Sequence, residues 1–137
     1  HIFDLLGKDL PEKESHLQMQ LIYDIKNYEI LPHCDTKLNS DTKFLTMLFY
    51  LNEDDTLDLG TELYIPDTKG NIKIIEKNEE KKFSIYKKAP FKINNLLVFI
   101  PEYDKSWHGV SKIKKNIIRR TIQIFLKNRK TINYDTI

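Results

Sequence analysis

Leu17-Gln18-Met19-Gln20-Leu21-Ile22-Tyr23-Asp24-Ile25 alternates apolar with polar residues, and soon afterwards the chain reads Pro32-His33-Cys34-Asp35. Successive side chains of a strand point to opposite faces. Leu17, Met19, Leu21, Tyr23 and Ile25 therefore share one face, and Gln18, Gln20 and Asp24 the other. This predicts a half-buried strand over 17–25. Tyr28 to Leu31 reads as a second short strand that runs into Pro32-His33. His33 and Asp35 are two apart, so on an extended segment both side chains face the same way.

Working outward, residues 36–42 are polar and turn-like. Lys43 to Leu51 is apolar on both faces, as expected of a central strand. Asn52 to Gly60 is an acidic loop, Thr61 to Ile65 a strand stopped by Pro66, and Asn71 to Ile75 a hairpin return after a turn at 67–70. Residues 76–82 read as a charged loop, Phe83 to Tyr86 as a short strand, and Leu96 to Ile100 as a buried strand ended by Pro101. Lys105 to Val110 carries His108. Ile117 to Leu126 is the last long strand, with Arg119, Thr121, Gln123 and Phe125 on one face. Eight or nine closely spaced strands with little helix favour an all-β sandwich or barrel over an α/β fold.

The 137 residues suit one domain. The expected organisation is an N-terminal extension or linker over 1–16 and a single domain over 17–137. Hydrophobic residues make up 40% of the chain, enough for one core. Charged residues make up 31% but nearly cancel, with a formal net charge of +2, so no nucleic-acid or membrane partner is expected. One cysteine excludes an internal disulfide, which fits a reducing compartment and a cytoplasmic protein. No apolar run approaches the roughly 20 residues of a membrane helix. The chain starts at His1 without Met or a charged-then-apolar leader, and so reads as a trimmed chain or a fragment.

His33 and Asp35 on one face offer an imidazole and a carboxylate to one divalent metal. A second imidazole from a distant strand, His108, would complete a facial set with open coordination positions. The blander reading of each is a polar residue beside a turn. Their order along an all-β chain, followed by Arg119, makes the set more specific than any one member.

Six segments carry a family resemblance: Tyr-Glu-Ile-Leu-Pro-His-Cys-Asp (28–35), Thr-Met-Leu-Phe-Tyr-Leu-Asn (46–52), Leu-Gly-Thr-Glu-Leu-Tyr-Ile-Pro (59–66), Ala-Pro-Phe (89–91), Ser-Trp-His-Gly-Val (106–110) and Arg-Arg-Thr-Ile-Gln-Ile-Phe (119–125). On these the chain resembles the 2-oxoglutarate- and Fe(II)-dependent oxygenases, in their prolyl-hydroxylase-like branch. The resemblance implies a double-stranded β-helix, a cupin-like jelly roll, with at most a short N-terminal helix. It implies His33, Asp35 and His108 as iron ligands and Arg119 as partner of the distal carboxylate of 2-oxoglutarate, with Arg120 the competing position. Thr121 is the small residue that follows in the family pattern. Tyr50 and Tyr23 fall where the family often has co-substrate tyrosines, although a tyrosine on a strand is also a common core residue. Cys34, between two ligands, reads as a small buried residue, and Trp107 as either a rim aromatic or packing.

The implied activity is a dioxygenase that uses Fe(II), 2-oxoglutarate and O2, with ascorbate as a candidate addition. It would couple decarboxylation of 2-oxoglutarate to hydroxylation of a substrate. An intact Asp35 favours hydroxylation, because halogenating relatives replace that carboxylate with a small residue. A small molecule is favoured as substrate over a peptidyl residue or a sugar. The competing class is a non-catalytic jelly-roll binding module with a vestigial metal site.

Overall fold

In a computed structural model, residues 15–36, 43–54 and 56–128 are described. Nine strands run in chain order: β1 (Ser15–Asp24), β2 (Ile30–His33), β3 (Lys43–Tyr50), β4 (Glu62–Pro66), β5 (Ile72–Glu76), β6 (Glu79–Lys88), β7 (Leu96–Phe99), β8 (His108–Val110) and β9 (Arg119–Asn128). There is no helix among the described residues. The expected N-terminal extension lies almost wholly outside them, as does most of the turn expected over 36–42.

The strands form two antiparallel sheets. One has the order β1-β9-β3-β7 and the other β2-β8-β4-β6-β5. Neighbours in each sheet are seldom neighbours in sequence, the crossing pattern of a jelly roll. The all-β, double-stranded β-helix expectation therefore holds. β3 and β9 are the inner strands of the first sheet, as the apolar character of 43–51 implies.

The charged loop expected over 76–82 is shorter than its composition suggests. β5 and β6 pair from Ile72↔Phe83 out to Glu76↔Glu79, leaving a two-residue turn at Lys77-Asn78. Both turn residues have positive φ, 51° and 67°, the backbone that two-residue hairpins with right-handed strand twist require. Lysines and glutamates are tolerated there because they pair across the ribbon, Lys73 with Glu80 and Lys81 with Glu76.

Two apolar clusters hold the structure together. Tyr50, Ala89 and Phe91 form one, joined by Leu57, Leu59 and Leu97. Tyr64, Phe83 and Trp107 form the other, joined by Cys34, Ile72 and Ile74. Cys34 and Trp107 pack in this second cluster, and both also border the groove that His33 lines. Burial also pushes the Cys34 thiol up from its usual range.

β1 alternates as expected, but its apolar face is the outer one. Leu17, Met19, Leu21, Tyr23 and Ile25 are each more than half exposed, while Asp24 from the polar set is buried. Alternation fixes which residues share a face. It does not say which face the second sheet will cover.

Gly109 sits where β8 runs between β2 and β4. A Cβ there would stand 2.4 Å from the Ile30 carbonyl oxygen and 3.1 Å from the Tyr64 ring. Gly109→Ala should therefore push β2 off β8 and destabilise the fold by about 1–3 kcal/mol. Urea unfolding would register this as a lowered midpoint at unchanged slope.

Candidate metal centre and co-substrate site

His33 and His108 are direct cross-strand partners on β2 and β8. Their rings lie 4.3 Å apart between centroids, tilted by 48°. The Nε2 atoms of both stand 3.8 Å from Asp35 Oδ1. One ligand atom from each of the three residues falls within a 4.8 Å cluster, the only such group of three found among the described residues. Three residues from 75 positions of sequence thus converge as expected from their pattern.

Their supporting contacts aim them. His33 Nδ1 lies 3.1 Å from the Leu31 carbonyl oxygen, and His108 Nδ1 lies 2.9 Å from that of Ser106. A carbonyl only accepts, so both Nδ1 atoms carry the proton and donate. That leaves the Nε2 lone pairs directed at the cluster. Thr46 donates its hydroxyl to Asp35 Oδ2 at 2.9 Å, which leaves Oδ1 facing the imidazoles. Phe99 packs on the His108 ring at 4.7 Å. His108 is buried and the His33 side chain is 39% exposed, so the cluster opens toward solvent on the β2 side. Neutral nitrogens and a carboxylate in a facial set, with one side open, suit Fe(II).

Behind the cluster lies a cavity of about 80 Å³, lined among others by Asp24, Tyr28, Thr61, Arg119 and Thr121 together with His33 and His108. β9 carries Arg119 and Thr121 inward on alternate positions. Arg120 faces outward opposite Tyr23, which separates the two candidate arginines. Arg119 is 3% exposed. Its Nε–H donates to the Leu59 carbonyl at 2.8 Å. Nη1 donates to Asp24 Oδ2 at 2.6 Å, and Nη2 to Thr61 Oγ1 at 3.1 Å. Thr121 is fully buried, and its hydroxyl has no hydrogen-bond partner within the protein. An unsatisfied buried hydroxyl two residues from a guanidinium fits a ligand carboxylate.

The two tyrosines do not stand where the resemblance puts them. Tyr23 lies on the outer face of β1, 57% exposed, because alternation that brings Asp24 in must turn Tyr23 out. Tyr28, in the loop before β2, lines the cavity instead. Tyr50 is buried beside the cavity rather than among its lining residues. Its hydroxyl donates to Thr61 Oγ1 at 2.9 Å and accepts from the Thr61 amide at 3.1 Å. The Arg119 guanidinium sits 5.6 Å from the Tyr50 ring centroid, so Tyr50 supports Arg119 by its face and through Thr61.

Besides Tyr28, four residues around this site have no site role in the sequence reading: Asp24, Thr46, Thr61 and Asn52. The sequence puts Asn52 at the head of an acidic loop, yet it is buried. Its amide donates to the Ile118 carbonyl at 2.8 Å and accepts from the Arg120 amide at 2.7 Å. It thereby clamps the backbone on both sides of Arg119. A polar residue closing an apolar strand was the available signal for Asn52. Nothing local marked the other three.

The model of the 2OG-Fe(II) oxygenase superfamily matches residues 18–127. The chain belongs to that superfamily. Among solved structures, the fold is similar to that in the crystal structure of a Pseudomonas putida prolyl-4-hydroxylase, with a TM-score of 0.56 at 15% identity. That match covers 83% of this chain and 52% of the other, so the chain spans about half the length of the hydroxylase. No match was found among curated proteins. No helix among the described residues is long and apolar enough to cross a membrane.

If Thr46 orients a superfamily metal ligand, Thr46→Val should keep the fold and lower Fe(II) affinity by about 10–100-fold. Competition against a chromophoric chelator measures this, and circular dichroism checks the fold.

Proposed function

We propose that this chain is a 2-oxoglutarate- and Fe(II)-dependent dioxygenase that hydroxylates its substrate. The observation that carries the reading is the His33–Asp35–His108 cluster, with both Nε2 atoms turned to one carboxylate oxygen. These three residues would hold the iron, and Arg119 with Thr121 would take the distal carboxylate of 2-oxoglutarate. Bound there, Fe(II) with 2-oxoglutarate and O2 supplies the oxidising chemistry of the family. The protein contributes position. Carbonyl-anchored imidazoles and the Thr46-held Asp35 keep a facial site open, and the small cavity behind it would confine the co-substrate end.

Substrate would enter where His33 is exposed. There a groove of about 590 Å³ runs along Leu31, Pro32 and His33 on one side and Ile74 and Ile75 on the other. Its size and apolar walls suit a small molecule, favoured here over a peptidyl residue or a sugar. A vestigial metal site on a binding module is disfavoured, because such a module needs neither the paired carbonyl anchors nor a buried arginine behind the triad.

The test is turnover. With Fe(II), ascorbate, O2 and 2-oxoglutarate, the protein should form succinate slowly without substrate. His108→Ala should lose stoichiometric Fe(II), and a variant that keeps it would remove His108 from the ligand set. Arg119→Ala should retain the metal but bind 2-oxoglutarate more than about tenfold more weakly, since it both loses a charged donor and leaves Asp24 unneutralised. Unchanged affinity would reassign the carboxylate site.

A further inference from the structure

Arg119 reaches the cavity with its charge already answered. Asp24 and Arg119 are register partners on β1 and β9, so both project inward from the same rung. Their side chains are only 3% and 4% exposed, and the ion pair is 2.6 Å long. In so dry a place the pair interacts strongly, and either member left alone is costly. Three of the five guanidinium N–H groups are committed to Leu59, Asp24 and Thr61. The two that remain belong to a unit whose net charge, counted with Asp24, is zero. An incoming carboxylate meets little attraction from such a unit and is repelled by the Asp24 oxygens beside it.

Asp24 also has somewhere to go. Tyr28 lines the same cavity. Its phenol is held protonated to higher pH first by burial and then by the nearby Asp24 charge. The Tyr28 hydroxyl is thus a standing donor for the Asp24 carboxylate when Arg119 turns to another anion. Sequence alternation set Asp24 on the polar face of β1, but only the β1–β9 register puts it against Arg119.

We propose that Asp24 is a specificity-determining residue of the co-substrate site, an internal carboxylate that competes with the distal carboxylate of the 2-oxo acid for Arg119. The proposal rests on the assignment of that carboxylate to Arg119. Its consequence is a co-substrate site with weak preference for a charged tail. 2-Oxoglutarate must displace Asp24 from the guanidinium toward Tyr28, whereas a 2-oxo acid with an uncharged tail leaves the ion pair in place.

The measurement is a ratio, which loss of folded protein does not move. Dissociation constants for 2-oxoglutarate and for 2-oxopentanoate, equal in carbon number but lacking the distal carboxylate, are determined on protein loaded with Mn(II) in place of iron. The wild-type protein should prefer 2-oxoglutarate by less than about tenfold, below what one charged hydrogen bond ordinarily gives. Asp24→Asn, which keeps the shape and removes the charge, should raise that preference at least about tenfold through tighter 2-oxoglutarate binding. A ratio that stays the same or falls in Asp24→Asn overturns the proposal and makes Asp24 a support for Arg119. Should the variant not fold, the wild-type ratio decides alone: a preference above about tenfold overturns the proposal, and one below it upholds it. If wild-type protein holds the metal but binds neither 2-oxo acid, the co-substrate assignment itself fails and takes the proposal with it.

Discussion

His33 and His108 face each other across the β2–β8 ladder, at the edge of the five-stranded sheet. The ladder is short: its two register pairs are Ile30↔Val110 and His33↔His108, with an irregularity between them. β8 has only three residues. It stays in place because its other edge pairs with β4, Glu62 against Gly109 and Leu63 against His108. Behind that pairing Glu62 is buried, yet it is fully satisfied by the Tyr64 hydroxyl, Ser111 and Lys88. A buried carboxylate with three partners anchors the strand where an unpaired one would expel it. Gly109, with no room for a side chain, lets the three strands close up. The separation of the two imidazoles follows from this packing.

The opposite wall is governed by charge. β9 lies between β1 and β3, and Arg119 at its start is surrounded from every side. Asp24 comes from β1, Tyr50 from the end of β3, and Thr61 from just before β4. Asn52 grips the backbone on either side of it. A guanidinium cannot shed its proton to survive burial, so it demands such a cage. The same cage takes up three of the five guanidinium N–H groups of Arg119. The His33–Asp35–His108 cluster at one end and a caged cation at the other give the small cavity its direction.

Much of this could be read from residue order. Alternation and turn residues marked most strands within about two residues, β6 and β8 excepted, because β6 begins at Glu79 inside the expected charged loop and β8 only at His108; the apolar run at 43–51 correctly indicated an inner strand. The His-x-Asp pair, the distant His108 and Arg119 were visible because each has a side chain whose chemistry is rare in a core. Tyr23 shows the limit. It had the right spacing from His33, but it shares the apolar face of β1, and that face is the outer one. Hydrophobicity made the inner side look like the apolar side. The Asp24–Arg119 pair reversed this, because a buried cation needs its counter-charge more than one edge strand needs to bury its methylenes.

The sequence by itself determined the strand-rich architecture, the identity of the triad residues and the place of Arg119 on the last long strand, because these depend on local periodicity and on rare functional groups. Tertiary structure alone decided which face of β1 turns inward, that Tyr28 rather than Tyr23 reaches the cavity, and that Asp24, Thr61 and Asn52 surround Arg119. Those contacts join residues 58 to 95 positions apart through strand register. Register is set by how whole sheets pack, and no single stretch of chain encodes it.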